Sequence, residues 1–244
     1  MISDIQVKQF HEEGYFLTEP MFDQETLDKF YREADRLYVE AVRAAEADGN
    51  ARNIEMVTNR PFIGHAHTQS EFMCEFIKAP IYLEACAKLI GSDADLYFNQ
   101  VVTKPPEKGK SFAWHQDSGY EVTEPLQYIT CWTAISRSFV ENGCIWIVPG
   151  SHKWGLQEHV YSEEAGEYQV QVDESNATPV EMRPGQVAIF SSLMLHKSGP
   201  NTSTEIRLGY VPQYHVPGVL SLRRGEPGGD QFPVLRDGQR YDEN

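Results

Sequence analysis

His115-Gln116-Asp117 stands in a run of residues that is otherwise apolar and aromatic, with Phe112 and Trp114 beside it. On a strand, side chains two apart share a face, so His115 and Asp117 project together while Trp114 and Gln116 point away. One imidazole and one carboxylate on a common face are two of the three ligands that bind non-haem Fe(II) while leaving coordination positions open. A lone His-x-Asp among eight histidines is a weak signal. The best candidate for a third ligand is His196, at the end of the hydrophobic run from Val187 to Leu195. An uncompensated imidazole there is costly, so the bland alternative is a core histidine bonded to a carbonyl.

The residues after His196 add a second chemistry. Arg207 lies in the β-like run Glu205 to Val211, and Pro200-Asn201-Thr202-Ser203 between them is a cluster of turn formers. A hairpin closing at Asn201-Thr202 would set Arg207 opposite His196, with Ser198 on the same face as both. A guanidinium with a nearby hydroxyl suits a carboxylate. A small dicarboxylate or keto acid that also chelates the metal fits this pattern. The alternative is a surface arginine paired with one of the many acids.

Other residues are weaker candidates. His65-Ala66-His67 has metal-like spacing, but in a polar loop two histidines are more often merely exposed. His152 follows a Pro-Gly-Ser turn, which favours a structural role. Thr130 and Trp132 share a strand face, whose direction the sequence leaves open.

These residues have to be carried by two kinds of element. The first third reads helical. Ser3 to Gln6 has capping-box spacing, and Gly14 stops the first helix. After Asp23, the apolar stripe Leu27, Phe30, Ala34, Leu37, Ala41 and Ala45 predicts a helix of about six turns ending near Gly49. Pro80 opens a third helix reaching Gly91. Between these, residues 51–70 are polar and turn-rich without a clear period, which predicts a lid. From Ala94 the texture becomes strands: 96–102, 112–117, 128–135, 144–148, a run from Val187, 193–198 and 205–214. Many short strands after massed helices predict a mainly β sandwich or barrel with a helical annex.

The 244 residues suit one domain, and the formal charge of −15 argues against nucleic-acid and polybasic membrane-surface partners. The four cysteines have no Cys-x-x-Cys or zinc spacing. With no secretory signal in view and no membrane-length apolar run, the expectation is a soluble cytoplasmic protein. The Walker, dinucleotide-binding and Gly-x-Ser-x-Gly motifs are all missing.

In order along the chain, the sequence shows residues 114–120 (WHQDSGY), Glu141-Asn142-Gly143-Cys144, and residues 148–153 (VPGSHK). Pro184-Gly185-Gln186-Val187, residues 196–201 (HKSGPN), and Arg207 before Tyr214 follow. Phe10 to Tyr15, as Phe-x-x-x-Gly-Tyr, precedes them. This pattern resembles the phytanoyl-CoA dioxygenase (PhyH) family of Fe(II)/2-oxoglutarate-dependent oxygenases, over most of residues 6–215. The resemblance implies a double-stranded β-helix, or jelly roll, over 94–215, with 216–244 as an extension. It implies iron on His115, Asp117 and His196, and the distal carboxylate of 2-oxoglutarate on Arg207 and Ser198. Gln100 is then a candidate to hydrogen-bond the co-substrate, with Asn99 facing the opposite way. O2, 2-oxoglutarate and a small molecule would give a hydroxylated product, succinate and CO2. Related halogenases have a small residue where Asp117 stands, so this Asp favours hydroxylation or another oxidation such as desaturation. Two alternatives remain: a cupin-like metalloenzyme that does not use 2-oxoglutarate, and a non-catalytic jelly-roll binding protein. The acidic composition, with only scattered cations such as Arg223 and Arg224, leans away from an acyl-CoA substrate. Oligomeric state is not readable.

Overall fold

Residue Ser3 caps helix α1 (Asp4–Glu13) through the reciprocal capping box with Gln6, and Gly14 ends it at φ 86°. Asp23 caps α2 (Gln24–Asp48), which Gly49 ends in the same left-handed conformation. These boundaries are as the sequence predicts. A short helix that it does not predict, α3 (Glu71–Phe76), follows with Ser70 as its cap. Pro80 then begins α4 (Pro80–Leu89). The computed structural model describes residues 1–49, 62–106, 111–163 and 166–242. Most of the expected lid, residues 51–61, therefore lies outside the described residues. Its remainder, 62–70, holds a strand and a 3-10 turn against the sheet.

The strands are β1 (Tyr15–Leu17), β2 (Phe62–Gly64), β3 (Ala94–Lys104), β4 (Phe112–His115), β5 (Thr123–Glu124) and β6 (Ile129–Ala134). They continue with β7 (Ile145–Ile147), β8 (Val160–Ser162), β9 (Glu167–Gln169), β10 (Thr178–Val180) and β11 (Val187–Ser191). Last come β12 (His196–Ser198), β13 (Arg207–His215), β14 (Leu220–Ser221), β15 (Glu226–Pro227), β16 (Phe232–Arg236) and β17 (Gln239–Arg240). The larger sheet runs β1-β11-β6-β13-β3-β16-β17, with β2 also on β3, and the smaller runs β10-β7-β12-β4. The two face each other as a jelly roll. Two strands thus fall in the third that reads helical, and the C-terminal segment adds β16 and β17 to the larger sheet.

All nine residues of β13 are buried, because both faces of the larger sheet are covered. Leu208, Tyr210 and Tyr214 face the helices, where they join Phe30, Leu37 and Tyr82 in the main core. Tyr82 and Tyr214 bury their hydroxyls there on Thr133 Oγ1 and the Ile77 carbonyl, each at 2.6 Å. Val211 on the other face joins Trp132, Ile145, Ile147 and Phe190 in a second core between the sheets. The space beyond that second core is a cavity of about 620 Å3.

The structure corrects the expected β12–β13 hairpin. His196 pairs with His115 and Ile147 in the smaller sheet, whereas Arg207 pairs with Lys104 in the larger one. Residues 199–206 cross from one sheet to the other. Buried Asn201 fixes the crossing: its Nδ2 donates to the Lys104 and Glu205 carbonyls at 3.0 and 2.8 Å. Turn-forming composition shows that the chain reverses, and does not distinguish a hairpin from an arch between sheets.

Candidate active site

Neighbouring strands bring His115 and His196 together at facing register, with ring centroids 4.1 Å apart. The expected strand over 112–117 stops at His115, and Asp117 opens a 3-10 turn through Gly119. Gln116 stays extended at φ −114° and ψ 139°, so the i, i+2 relation survives the change of element. Asp117 Oδ1 lies 3.9 Å from His115 Nε2 and 3.6 Å from His196 Nε2. One ligand-type atom from each of the three residues lies within 4.8 Å of the other two.

The donors are prepared for a cation. His115 Nδ1–H donates to the Ala113 carbonyl at 2.8 Å, and His196 Nδ1–H to that of Met194 at 3.0 Å. Each Nε2 therefore keeps its lone pair. Burial, and then the neighbouring His196, hold His115 well below the ordinary histidine range and so neutral. Thr130 Oγ1 donates to Asp117 Oδ2 at 2.6 Å and accepts from Gln213 Nε2 at 3.2 Å. One carboxylate oxygen is thus held from behind, leaving Oδ1 toward the two imidazoles. Two imidazoles and one carboxylate, with these tautomers and this burial, fit a divalent iron.

Arg207 is only 1% exposed. One of its terminal nitrogens donates to the Gly143 carbonyl, and its guanidinium lies 5.2 Å from the centre of the Trp132 ring. Its Nε is buried without a hydrogen-bond partner, and no carboxylate among the described residues acts on its charge. Burial pulls its pKa down to about 10, still charged at neutral pH. A desolvated cation that lacks an anion is unusual, and a bound carboxylate would complete it. Ser198, also buried, lines the same cavity as Arg207 and the three ligand-type residues, although it belongs to the opposite sheet from Arg207.

Gln100 lines the cavity, and Thr130 and Trp132 point inward with it. Asn99 faces the helical side as expected, bonding His67 Nδ1 at 2.6 Å and Tyr210 Oη at 3.1 Å. His67 is buried in that network, while His65 reaches the cavity. His152 lies apart, with its Nε2 3.3 Å from the His11 carbonyl. Sequence reasoning missed Gln213, although it falls on the same β13 face as Arg207. It also missed Tyr97, Tyr128, Glu121 and Asp230, which no local motif marks.

The profile of the family described as Phytanoyl-CoA dioxygenase (PhyH) matches residues 10–209. The chain belongs to this family. It is thereby an Fe(II)/2-oxoglutarate-dependent oxygenase with a jelly-roll core, which takes iron, 2-oxoglutarate and O2. A probable phytanoyl-CoA dioxygenase of Caenorhabditis elegans is 27% identical over 228 residues, 85% of this chain and 73% of that protein. The peroxisomal phytanoyl-CoA dioxygenase of Bos taurus is 25% identical, over 84% of this chain and 66% of its own length. Among solved structures, the epimerase SnoN in complex with Fe3+, α-ketoglutarate and nogalamycin RO superposes with a TM-score of 0.73 at 21% identity. That match covers 94% of this chain and 96% of SnoN.

Proposed function

We propose that this oxygenase hydroxylates an unactivated C–H bond of a free small molecule, and that His115, Asp117 and His196 hold its iron. The observation that carries this reading is buried Arg207, a cation lacking a carboxylate, in the same cavity as three convergent iron-type donors. When bound, iron with 2-oxoglutarate supplies the O2 activation and the oxidative decarboxylation that yields succinate and CO2. The protein's part is positional. Arg207 and Ser198 receive the distal carboxylate of 2-oxoglutarate, and Gln100 is placed to bond it from β3. Thr130 holds Asp117 so that its Oδ1 faces the metal position. The aromatic walls exclude water and orient the target carbon. No helix among the described residues is long and apolar enough to cross a membrane. The four free cysteines support a reducing, cytoplasmic setting.

The test is anaerobic titration of the Fe(II)-loaded protein with 2-oxoglutarate, followed by exposure to O2 with a substrate panel. One 2-oxoglutarate per iron should bind, and succinate should form in step with a hydroxylated product. Iron binding without 2-oxoglutarate binding would overturn the roles given to Arg207 and Ser198, and binding of neither would overturn the site assigned to His115, Asp117 and His196.

A further inference from the structure

Part of the cavity lining comes from a segment that follows the family match, which stops at residue 209. Arg224, Gly229 and Asp230 of this segment line the cavity. Asp230 N–H donates to the Tyr97 carbonyl at 2.7 Å. Gly229 makes that seat possible. Its φ is +70°, and a Cβ there would lie 2.4 Å from the Tyr97 ring and 2.5 Å from its carbonyl oxygen.

The loop brings Asp230 Oδ1 to 2.7 Å from His65 Nδ1. His65 has a left-handed backbone at φ 51°, uncommon for a residue other than glycine. Its N–H donates to the Asn99 carbonyl at 2.8 Å, and its ring stands edge-on to Phe98 at 4.8 Å. In the neutral ring, a proton on Nδ1 facing that carboxylate leaves Nε2 as the acceptor nitrogen. Among the described residues no hydrogen bond reaches that nitrogen, and the side chain, 54% exposed, is part of the cavity lining.

The other charges in this part of the cavity are already matched. Arg224 pairs with Glu121 at 3.0 Å, and Tyr97 Oη–H donates to the same carboxylate at 3.3 Å. Among the described residues that line this part of the cavity, Arg224 is the cation, and its charge is taken up by Glu121 rather than left for phosphates. The walls are aromatic, with Phe62 edge-on to Phe112 and Tyr97 against Tyr128.

We propose that the segment after the jelly roll forms the substrate-recognition wall, and that His65, held by Asp230, accepts a hydrogen bond from a hydroxyl of a neutral substrate with a flat apolar body. This rests on the oxygenase reading and names the substrate class of that site. His65 is a specificity residue and Asp230 its positioning residue.

The test uses the anaerobic Fe(II)- and 2-oxoglutarate-loaded protein, labelled with 15N-histidine, and three probes: 2-naphthol, 2-methoxynaphthalene and coenzyme A. The expected result is a shift of the His65 Nε2 resonance with 2-naphthol. Its affinity should be about tenfold higher than that of the methoxy compound, which cannot donate. Asp230→Asn, His65→Phe and Gly229→Ala should each erase that preference, with 2-oxoglutarate affinity unchanged. Coenzyme A should not compete. Preference surviving in all three variants, silent His65 resonances, or competition by coenzyme A would overturn the proposal. Failure of the wild type to bind 2-oxoglutarate would strike the oxygenase reading instead, because the naphthol comparison is read at His65 itself.

Discussion

Across the β4–β12 pair, His115 and His196 each donate Nδ1–H to the carbonyl two residues earlier in their own chain. The same local bond, made twice on facing strands, turns two Nε2 lone pairs toward Asp117. Among the described residues, the carboxylate is the member of the set held by a side-chain hydrogen bond, from Thr130, and that makes its support the easiest to test.

Thr130→Val removes the hydroxyl from Asp117 Oδ2 while keeping the shape. Iron affinity or turnover should drop about 10–100-fold, the usual effect of removing a group that orients a metal ligand. Asp117→Ala should weaken iron binding more than Thr130→Val does, because it removes the carboxylate itself. Metal content after dialysis at fixed free Fe(II), with circular dichroism to verify folding, reads both. Unchanged iron affinity in Thr130→Val would show that the 2.6 Å bond is not needed.

Arg207→Met separates binding from stability. A buried charge without an anion gives the fold little, so an apolar side chain of similar length should leave Tm unchanged or raise it. The KM for 2-oxoglutarate should rise by between about 30-fold and a few thousandfold, the range spanned by about 2–5 kcal/mol. A lower Tm with an unaltered KM would mean that Arg207 is structural.

Gly143→Ala should be damaging at both levels. Gly143 has φ 81°, its added Cβ would lie 2.5 Å from the Gly199 carbonyl oxygen, and its own carbonyl accepts from Arg207. Strain of about 1–3 kcal/mol is expected in chemical denaturation. A raised KM for 2-oxoglutarate should accompany it, because Arg207 loses its anchor. A fully stable variant with normal KM would contradict this account.

Stability should fall in mild acid through histidines outside the site. Burial lowers the pKa of both His215 and His67, the latter against a partly opposing Asp230. The unfolded chain then binds protons that the folded chain refuses, so stability is full above about pH 6.5 and declines below it. Each group contributes at most about 1.4 kcal/mol per pH unit in that window. Denaturation at pH 5 and pH 7 should show the loss, and His215→Phe should reduce it. Equal stability at the two values would refute the burial argument.

The helix caps at Ser3 and Asp23 and the turn glycines were readable because each depends on a few adjacent residues. The His115–Asp117 pair was readable for the same reason, since an i, i+2 relation survives when a strand gives way to a turn. Arg207 reached the cavity by a different route from the expected hairpin. The composition of 199–206 marks a reversal of the chain, whereas the crossing depends on Asn201 meeting the carbonyl of Lys104, far away in sequence. Asp230 was invisible in the same sense. Its role depends on Gly229 meeting Tyr97, which no local spacing encodes.

The carbonyls that fix the two imidazoles belong to Ala113 and Met194, and every amino acid has such a carbonyl. Substitution at either position changes packing but cannot delete the proton acceptor. The tautomers of His115 and His196 therefore do not depend on which side chain stands at position 113 or 194. Descendants of this chain can vary their cavity walls widely while the proton arrangement at those two rings is inherited with the backbone.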